Sequence, residues 1–237
     1  QQTHRKLYVF LEYMNEGSLK AQYTEFGPVC VPLLAKVATQ VLSGLEYLHS
    51  QHPAILHRDL KASNILVTGA WHVKIADFGI ARHIEQDELA QTLVGSSFWL
   101  APEVLCQQPY STAADIWSFA CTMVELATAK YPWASQLDHV SNPMSALFAI
   151  KKRTDAGEVP EIPKHLPSTC VSFIAAGFHI EEGARPTASV LLEHDFLHTS
   201  HTPVKGKDWA KAEVDDFDES SDFSDCSADG SAQWDDE

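Results

Sequence analysis

The chain has 237 residues, 45% of them hydrophobic, which is enough apolar surface for one large globular domain or two small ones. Its formal net charge of -15 argues against nucleic acid or an anionic membrane as the main partner, because both attract Lys and Arg. The five cysteines are odd in number and form no Cys-x-x-Cys pair, and no apolar run approaches the ~20 residues that span a bilayer, so we expect a cytoplasmic protein with reduced thiols.

The first predicted elements are a strand and a helix joined by a polar connector. Residues 7–11 form a continuous apolar run rich in β-formers, which predicts a buried strand. Residues 12–18 bring polar side chains and a glycine, and they predict an exposed connector. Apolar residues then recur every three or four positions from Leu33 to Leu48, with Pro32 in the first turn, which predicts an amphipathic helix.

The middle of the chain predicts a hairpin and then an irregular segment. Residues 65–67 and 73–75 are apolar β-formers on either side of Gly69 and Ala70, a pattern typical of two short strands joined by a turn. Residues 82–99 show no period and predict a long surface segment, which is uncommon unless it is functional.

The rest of the chain is predicted to be helical and then disordered. Residues 113–128 are apolar almost all round, which is typical of a helix in the core of a sizeable domain. Further helices are predicted at residues 144–152, 168–178 and 186–194. Beyond about residue 202 the composition turns to Asp, Glu, Ser and Gly, and residues 213–237 hold 11 acidic residues and no Lys or Arg, which predicts a disordered tail.

Two polar segments carry the chemistry of the chain. Residues 57–64 read HRDLKASN, and residues 77–79 read DFG on the far side of the hairpin. Asn64 and Asp77 offer the oxygen ligands that Mg²⁺ prefers, and Lys61 offers a cation for a phosphate. Asp59 is then available to orient an incoming hydroxyl. This combination predicts a site for transfer of a phosphoryl group, placed in loops that border the hairpin.

The same residues resemble the eukaryotic protein kinases. The HRDLKASN and DFG segments, together with APE at residues 101–103, are similar to the signature set of that family over its larger, C-terminal lobe. Lys61 favours a Ser/Thr kinase. The AADIWS and ELAT segments, at residues 113–118 and 125–128, look most like the mitogen-activated protein (MAP) kinase kinase kinases.

The resemblance, which covers residues 6–197, implies a fold and a domain organisation. The expected fold class is α+β and mainly helical, a protein-kinase-like C-terminal lobe with only the last strand of the N-terminal lobe. Residues 1–198 would be a partial kinase domain, and residues 199–237 an acidic disordered tail. The expected function is transfer of phosphate from ATP to Ser or Thr of a protein.

The resemblance also implies roles for individual residues, with ATP and Mg²⁺ as the cofactors. Asp59 would be the catalytic base and Lys61 a contact to the transferred phosphate, and Asn64 and Asp77 would hold Mg²⁺. The connector would be the kinase hinge, which binds adenine through the backbone of Glu12 and Met14. Leu11 would control access behind the adenine, and Leu66 would form the floor of the pocket.

Regulation and partners follow from the family in the same way. Arg58, next to Asp59, would need a phosphate on the activation segment to neutralise it. Thr92 is the favoured phosphosite, with Ser97 a weaker candidate, and Ser96 lies in the segment that reads the residue after the phosphoacceptor. The expected partners are a protein substrate, such as a MAP kinase kinase, and an upstream activating kinase.

Six residues are expected to be structural. Glu103 and Arg185 match a buried ion pair of the family. Asp115 has two readings that can coexist, as a helix-cap carboxylate or as a brace for the catalytic-loop backbone. The other three, which sit inside the signature segments, are His57, Phe78 and Gly79.

The 237 residues contain no Gly-rich phosphate loop and no strand Lys with a paired helix Glu, parts that a working kinase also needs. Only Gln1 to Lys6 precede the first predicted strand, so we expect this chain to be an inactive fragment of an active Ser/Thr kinase. The alternative is a non-catalytic kinase-like module that binds partners through its helical lobe and acidic tail. Sequence immediately upstream would discriminate the two.

Overall fold

A computed structural model describes residues 10–77, 97–137 and 142–199 of the chain. The last two residues of the buried strand predicted at 7–11, Phe10 and Leu11, are exposed and lie in no strand, so that prediction is wrong there. The predictions for residues 7–9 and for the acidic tail concern segments outside these ranges and stay predictions. The same holds for four site residues, Phe78, Gly79, Thr92 and Ser96.

The described part is mainly helical, with a single two-stranded sheet among the described residues. This agrees with the predicted fold class of a kinase-like C-terminal lobe. In chain order the elements are α1 (Leu19–Phe26), α2 (Val31–His49), β1 (Ile65–Val67), β2 (Val73–Ile75), α3 (Pro102–Leu105), α4 (Ala113–Thr128), α5 (Pro143–Asp155), α6 (Ser168–Ala176), α7 (Ala188–Leu192) and α8 (Asp195–His198).

Helix α1 is an element that the sequence analysis missed. It begins at Ser18, whose hydroxyl accepts a hydrogen bond from the amide of Ala21 at 3.2 Å, and it ends at Gly27, which has φ +84°. A side-chain cap at the start and a left-handed glycine at the end are what a short helix needs. With only eight residues, the helix is too short to show a clear period.

Helices α2 and α4 form the centre of the core, as predicted. The apolar face of α2 is buried, and Leu34, Val37 and Leu45 have no exposed surface. In α4 every residue from position 114 to 127 is buried. Trp117 and Phe119 of this helix pack edge-on against aromatic rings of the C-terminal part, at centroid distances of 5.1 and 5.9 Å. The central helix therefore gives the loop of residues 57–64 a rigid base.

The predicted hairpin is confirmed, and it also holds the connector. β1 and β2 are antiparallel, with Leu66 opposite Lys74. Gly17 and Glu16 bond to the backbone of Val67, whose amide donates to the Gly17 carbonyl at 2.8 Å and whose carbonyl accepts from the Glu16 amide at 3.2 Å. The connector therefore runs along β1.

Three details differ from the prediction. The helix expected from Pro186 begins at Ala188, because the Thr187 hydroxyl caps it by accepting from the amide of Val190 at 3.3 Å. The predicted surface segment ends in a 3-10 turn, Ser97–Trp99, whose Ser97 and Trp99 are buried. The connector is not exposed throughout, since Met14 is buried.

Candidate active site

The loop between α2 and β1 is anchored from below by Asp115 of α4. One carboxylate oxygen of Asp115 accepts from the amide of His57 at 2.8 Å and lies 2.9 Å from Nε2 of His49, while the other accepts from the amide of Arg58 at 2.9 Å. Arg58 has φ +71°, a left-handed conformation that is costly for a residue with a side chain. These hydrogen bonds are the ones expected if Asp115 braces the loop backbone. The Thr112 side chain does not cap this helix.

Asp59, Lys61 and Asn64 form one hydrogen-bonded cluster above this brace. The ammonium of Lys61 lies 2.9 Å from Oδ2 of Asp59. The amide nitrogen of Asn64 donates to the same Oδ2 at 2.9 Å and to the backbone carbonyl of Asp59 at 2.8 Å. A carboxylate fixed by two donors keeps one orientation, so the cluster is preorganised for work on a bound group.

Asp77 is brought to the same place by the residue before it. The Ala76 amide donates to the backbone carbonyl of Asn64 at 2.8 Å, and the carbonyl of Ala76 lies 3.0 Å from Nε2 of His57. Asp77 itself is exposed and has φ +54°. Strained backbone held by surrounding hydrogen bonds is typical of functional residues. His57 thus ties the two polar segments together through Ala76.

The structure places the predicted hinge residues along one edge of the hairpin. Met14 is buried, and Leu66 of β1 is half-buried beneath the connector. Glu12 forms an ion pair with Lys74 of β2. Leu11 is 84% exposed, and its neighbours Phe10 and Tyr13 are equally open. These exposed apolar side chains form a ledge at the start of the described residues.

The donor set at Asn64 and Asp77 suits magnesium. The Asn64 amide nitrogen is held by Asp59, which leaves the carbonyl oxygen of that side chain as the metal-ligand candidate; the Ser63 hydroxyl donates to this oxygen at 3.3 Å. Asp77 adds an exposed carboxylate. Within the described ranges, no group of three or more His, Cys, Asp and Glu could hold a metal ion. One amide and one carboxylate nevertheless fit Mg²⁺, which usually takes few protein ligands and completes its shell with phosphate and water.

Two of the predicted regulatory residues are described. The Arg58 side chain is exposed, and its guanidinium lies 6.0 Å from the centre of the Tyr110 ring. Ser97 is fully buried, and its hydroxyl has no hydrogen-bond partner among the described residues. Which of Ser97 and Thr92 is the phosphosite stays a prediction, because Thr92 lies outside the described residues.

A buried carboxylate beside the catalytic loop was missed by the sequence analysis. Glu125 of α4 has no exposed surface and accepts three hydrogen bonds: from the Tyr23 hydroxyl at 2.9 Å, the Ala62 amide at 3.1 Å and the Trp99 indole at 2.9 Å. Burial raises the pKa of this carboxyl above its usual value and outweighs the three hydrogen-bond donors, which lower it. The signal that could have found it is a charged residue in a helix that is otherwise apolar.

Across the described residues, no helix has the length and apolar character that crossing a membrane requires.

Comparison with known proteins identifies a family and several relatives of this chain. A family model described as the protein kinase domain matches residues 1–197. The chain is 40% identical over 195 residues to mitogen-activated protein kinase kinase kinase 3 of Arabidopsis thaliana, an alignment that covers 82% of this chain and 30% of that protein.

Two further relatives show the same relation. The chain is 40% identical to mitogen-activated protein kinase kinase kinase 1a of Physcomitrium patens, over 83% of this chain and 24% of that protein. It is also 40% identical to YODA, another mitogen-activated protein kinase kinase kinase of Arabidopsis thaliana, over 81% of this chain and 21% of that protein. The chain therefore spans less than a third of the length of these relatives.

Proposed function

The chain belongs to the protein kinase domain family, and on that premise we propose that it is the catalytic-loop part of a Ser/Thr kinase that transfers phosphate from MgATP to a MAP kinase kinase. The observation that carries the proposal is the cluster of Asp59, Lys61 and Asn64, in which each polar group is already oriented. The names of the relatives, which are kinases of MAP kinase kinases, support the substrate class.

Each residue of the cluster has a separate task in this proposal. Asp59 accepts the proton of the substrate hydroxyl, and Lys61 neutralises charge on the phosphate that moves. Asn64 and Asp77 would hold Mg²⁺, which supplies charge neutralisation across the phosphates when it is bound. The hinge residues Glu12 and Met14 would hold adenine beside β1.

The ledge of Phe10, Leu11 and Tyr13 supports a second wall of the site. These side chains are 84% to 94% exposed, and exposed apolar surface of this kind is normally covered by another structural element. In kinases the covering element carries the Gly-rich loop and the strand Lys, which these 237 residues lack. The chain alone is therefore proposed to be inactive.

The proposal is tested by incubating the full-length protein with a purified MAP kinase kinase and MgATP. We expect phosphate on Ser or Thr of the substrate, identified by mass spectrometry, and loss of the reaction when EDTA removes Mg²⁺. Phosphate on Tyr alone, or transfer that persists in EDTA, would contradict the proposal.

Control by phosphorylation is expected to act through Arg58. A phosphate on Thr92 would pair with the exposed guanidinium, which lies next to Asp59 in sequence, and would order the segment around it. The full-length Thr92→Ala variant should therefore have much lower activity than the wild type, whereas Ser97→Ala should alter activity less. Full activity in the Thr92→Ala variant would exclude this mode of control.

A further inference from the structure

A depression of about 280 Å³ adjoins the catalytic cluster on the side away from the hairpin. Three polar residues, Lys20, Lys61 and Ser63, and three aromatic residues, Phe98, Trp99 and Tyr131, form its walls. Lys61 belongs both to this depression and to the cluster, since its ammonium lies 2.9 Å from Asp59. A group bound here would therefore lie close to a hydroxyl positioned by Asp59.

The aromatic walls are mutually fixed. Phe98 and Tyr131 stack with a centroid distance of 5.5 Å and an angle of 15° between the rings, and Trp99 packs edge-on against Tyr131 at 5.7 Å. Such contacts hold the rings in one arrangement. The aromatic part of the walls therefore has one defined arrangement.

Two ammonium groups line the depression, and one of them also pairs with Asp59. Lys20 is exposed on α1, and its ammonium lies 3.5 Å from the Tyr131 hydroxyl and 5.5 Å from the centre of that ring. Lys61 adds a second ammonium. Glu125 is the acidic residue among the lining side chains, but its carboxylate has no exposed surface.

Both oxygens of Glu125 already accept hydrogen bonds. One of its oxygens accepts from Tyr23, and the other accepts from Ala62 and Trp99. The carboxylate is also fully buried, so a ligand in the depression does not meet it directly. An incoming Arg or Lys could reach this carboxylate only by displacing those donors. It would also be repelled by the two ammonium groups that line the depression.

We propose that this depression binds an anionic side chain of the protein substrate, close in sequence to the phosphoacceptor, and that Lys20 is the residue that selects it. The inference rests on the proposed kinase function and adds the charge of the substrate to it. Asp, Glu and a phosphorylated Ser or Thr share the required chemistry.

Peptides that share one acceptor Ser and differ at one flanking position at a time test the proposal. Each position carries Asp, Asn, phosphoserine or Arg in turn, and kcat/KM is measured with the full-length protein and MgATP. At one position Asp or phosphoserine should exceed Arg by about tenfold, which corresponds to ~1.4 kcal/mol. The phosphoserine arm tells whether phosphate or carboxylate is the preferred anion.

A pair of charge reversals assigns the effect to Lys20. Lys20→Glu should remove the preference or invert it, whereas Lys152→Glu, at an exposed position of α5, should leave the ratio unchanged. Equal rates for Asp and Arg peptides at every position would overturn the proposal. So would a ratio that Lys20→Glu does not change.

A binding measurement separates this inference from the proposed function. The anisotropy of a labelled Asp peptide and of its Arg counterpart is followed with the full-length protein in the absence of ATP. Failure to phosphorylate any peptide would contradict the kinase function, and the binding result would then decide the inference alone. Tighter binding of the Asp peptide supports it, and equal or weaker binding overturns it.

Discussion

Replacing Asp59 by Asn in the full-length protein should lower the rate of phosphate transfer by about 10²- to 10⁴-fold, the range typical of a lost general base. Asn keeps the size of Asp, and its oxygen can still accept from the Asn64 amide that lies 2.9 Å from Oδ2. What it loses is the charge that attracts Lys61 and the ability to accept a proton. The loss should therefore appear in kcat, with a small change in KM for ATP.

The control for this prediction is thermal unfolding, which shows whether the variant keeps its fold. Asp59 is partly exposed, at 31% of its side chain, so the Asp59→Asn variant should unfold within about 2 °C of the wild type. An Asp59→Ala variant should be equally inactive. Activity within tenfold of the wild type for Asp59→Asn would contradict the role of Asp59 as the base.

Replacing Arg185 by Ala should have the largest effect on stability. All five N–H groups of its guanidinium are used: two reach Glu103 at 2.6 and 2.7 Å, and the others reach the carbonyls of His179, Ala113 and Ile180. The Arg185 side chain has no exposed surface. Removing one partner of a buried pair typically costs ~3–5 kcal/mol, which lowers Tm by about 10 °C in a domain of this size.

The matched control is an ion pair on the surface. Lys151 of α5 lies 2.8 Å from Asp155, and both side chains are well exposed. Lys151→Ala should leave the unfolding temperature almost unchanged, because water screens such a pair. Thermal unfolding followed by circular dichroism compares the two variants. A loss below ~1 kcal/mol for Arg185→Ala would show that the buried pair does not hold the fold together.

The elements that could be predicted from sequence are those whose pattern is long or marked by turn residues. Helix α2 carries apolar periodicity over 19 residues, and α4 is apolar almost all round over 16 residues. The hairpin is marked by Gly69 between two apolar runs. Helix α1 was missed because eight residues hold about two turns, and its limits depend on one hydroxyl cap at Ser18 and one glycine. The start of α7 shifted for a similar local reason, the Thr187 cap.

The residues of the site also fall into two groups, those that a local motif reveals and those whose contacts depend on long-range packing. The motif at residues 57–64 identified Asp59, Lys61 and Asn64, because their spacing within one loop is itself the signal. The buried contacts of Glu125 could not be read from the sequence, since its partners Tyr23 and Ala62 lie 102 and 63 residues away. Contacts of that kind depend on how α1, α4 and the loop pack, which periodicity does not specify.

The central claim is that Asp59, Lys61, Asn64 and Asp77 form one wall of a phosphate-transfer site. The most direct test compares the full-length protein with the 237-residue chain alone, with labelled MgATP and the same protein substrate. The account predicts Asp59-dependent transfer to Ser or Thr by the full-length protein and no useful transfer by the 237 residues. Robust Mg²⁺-dependent transfer by the 237 residues alone, or none by a folded full-length protein, would contradict it.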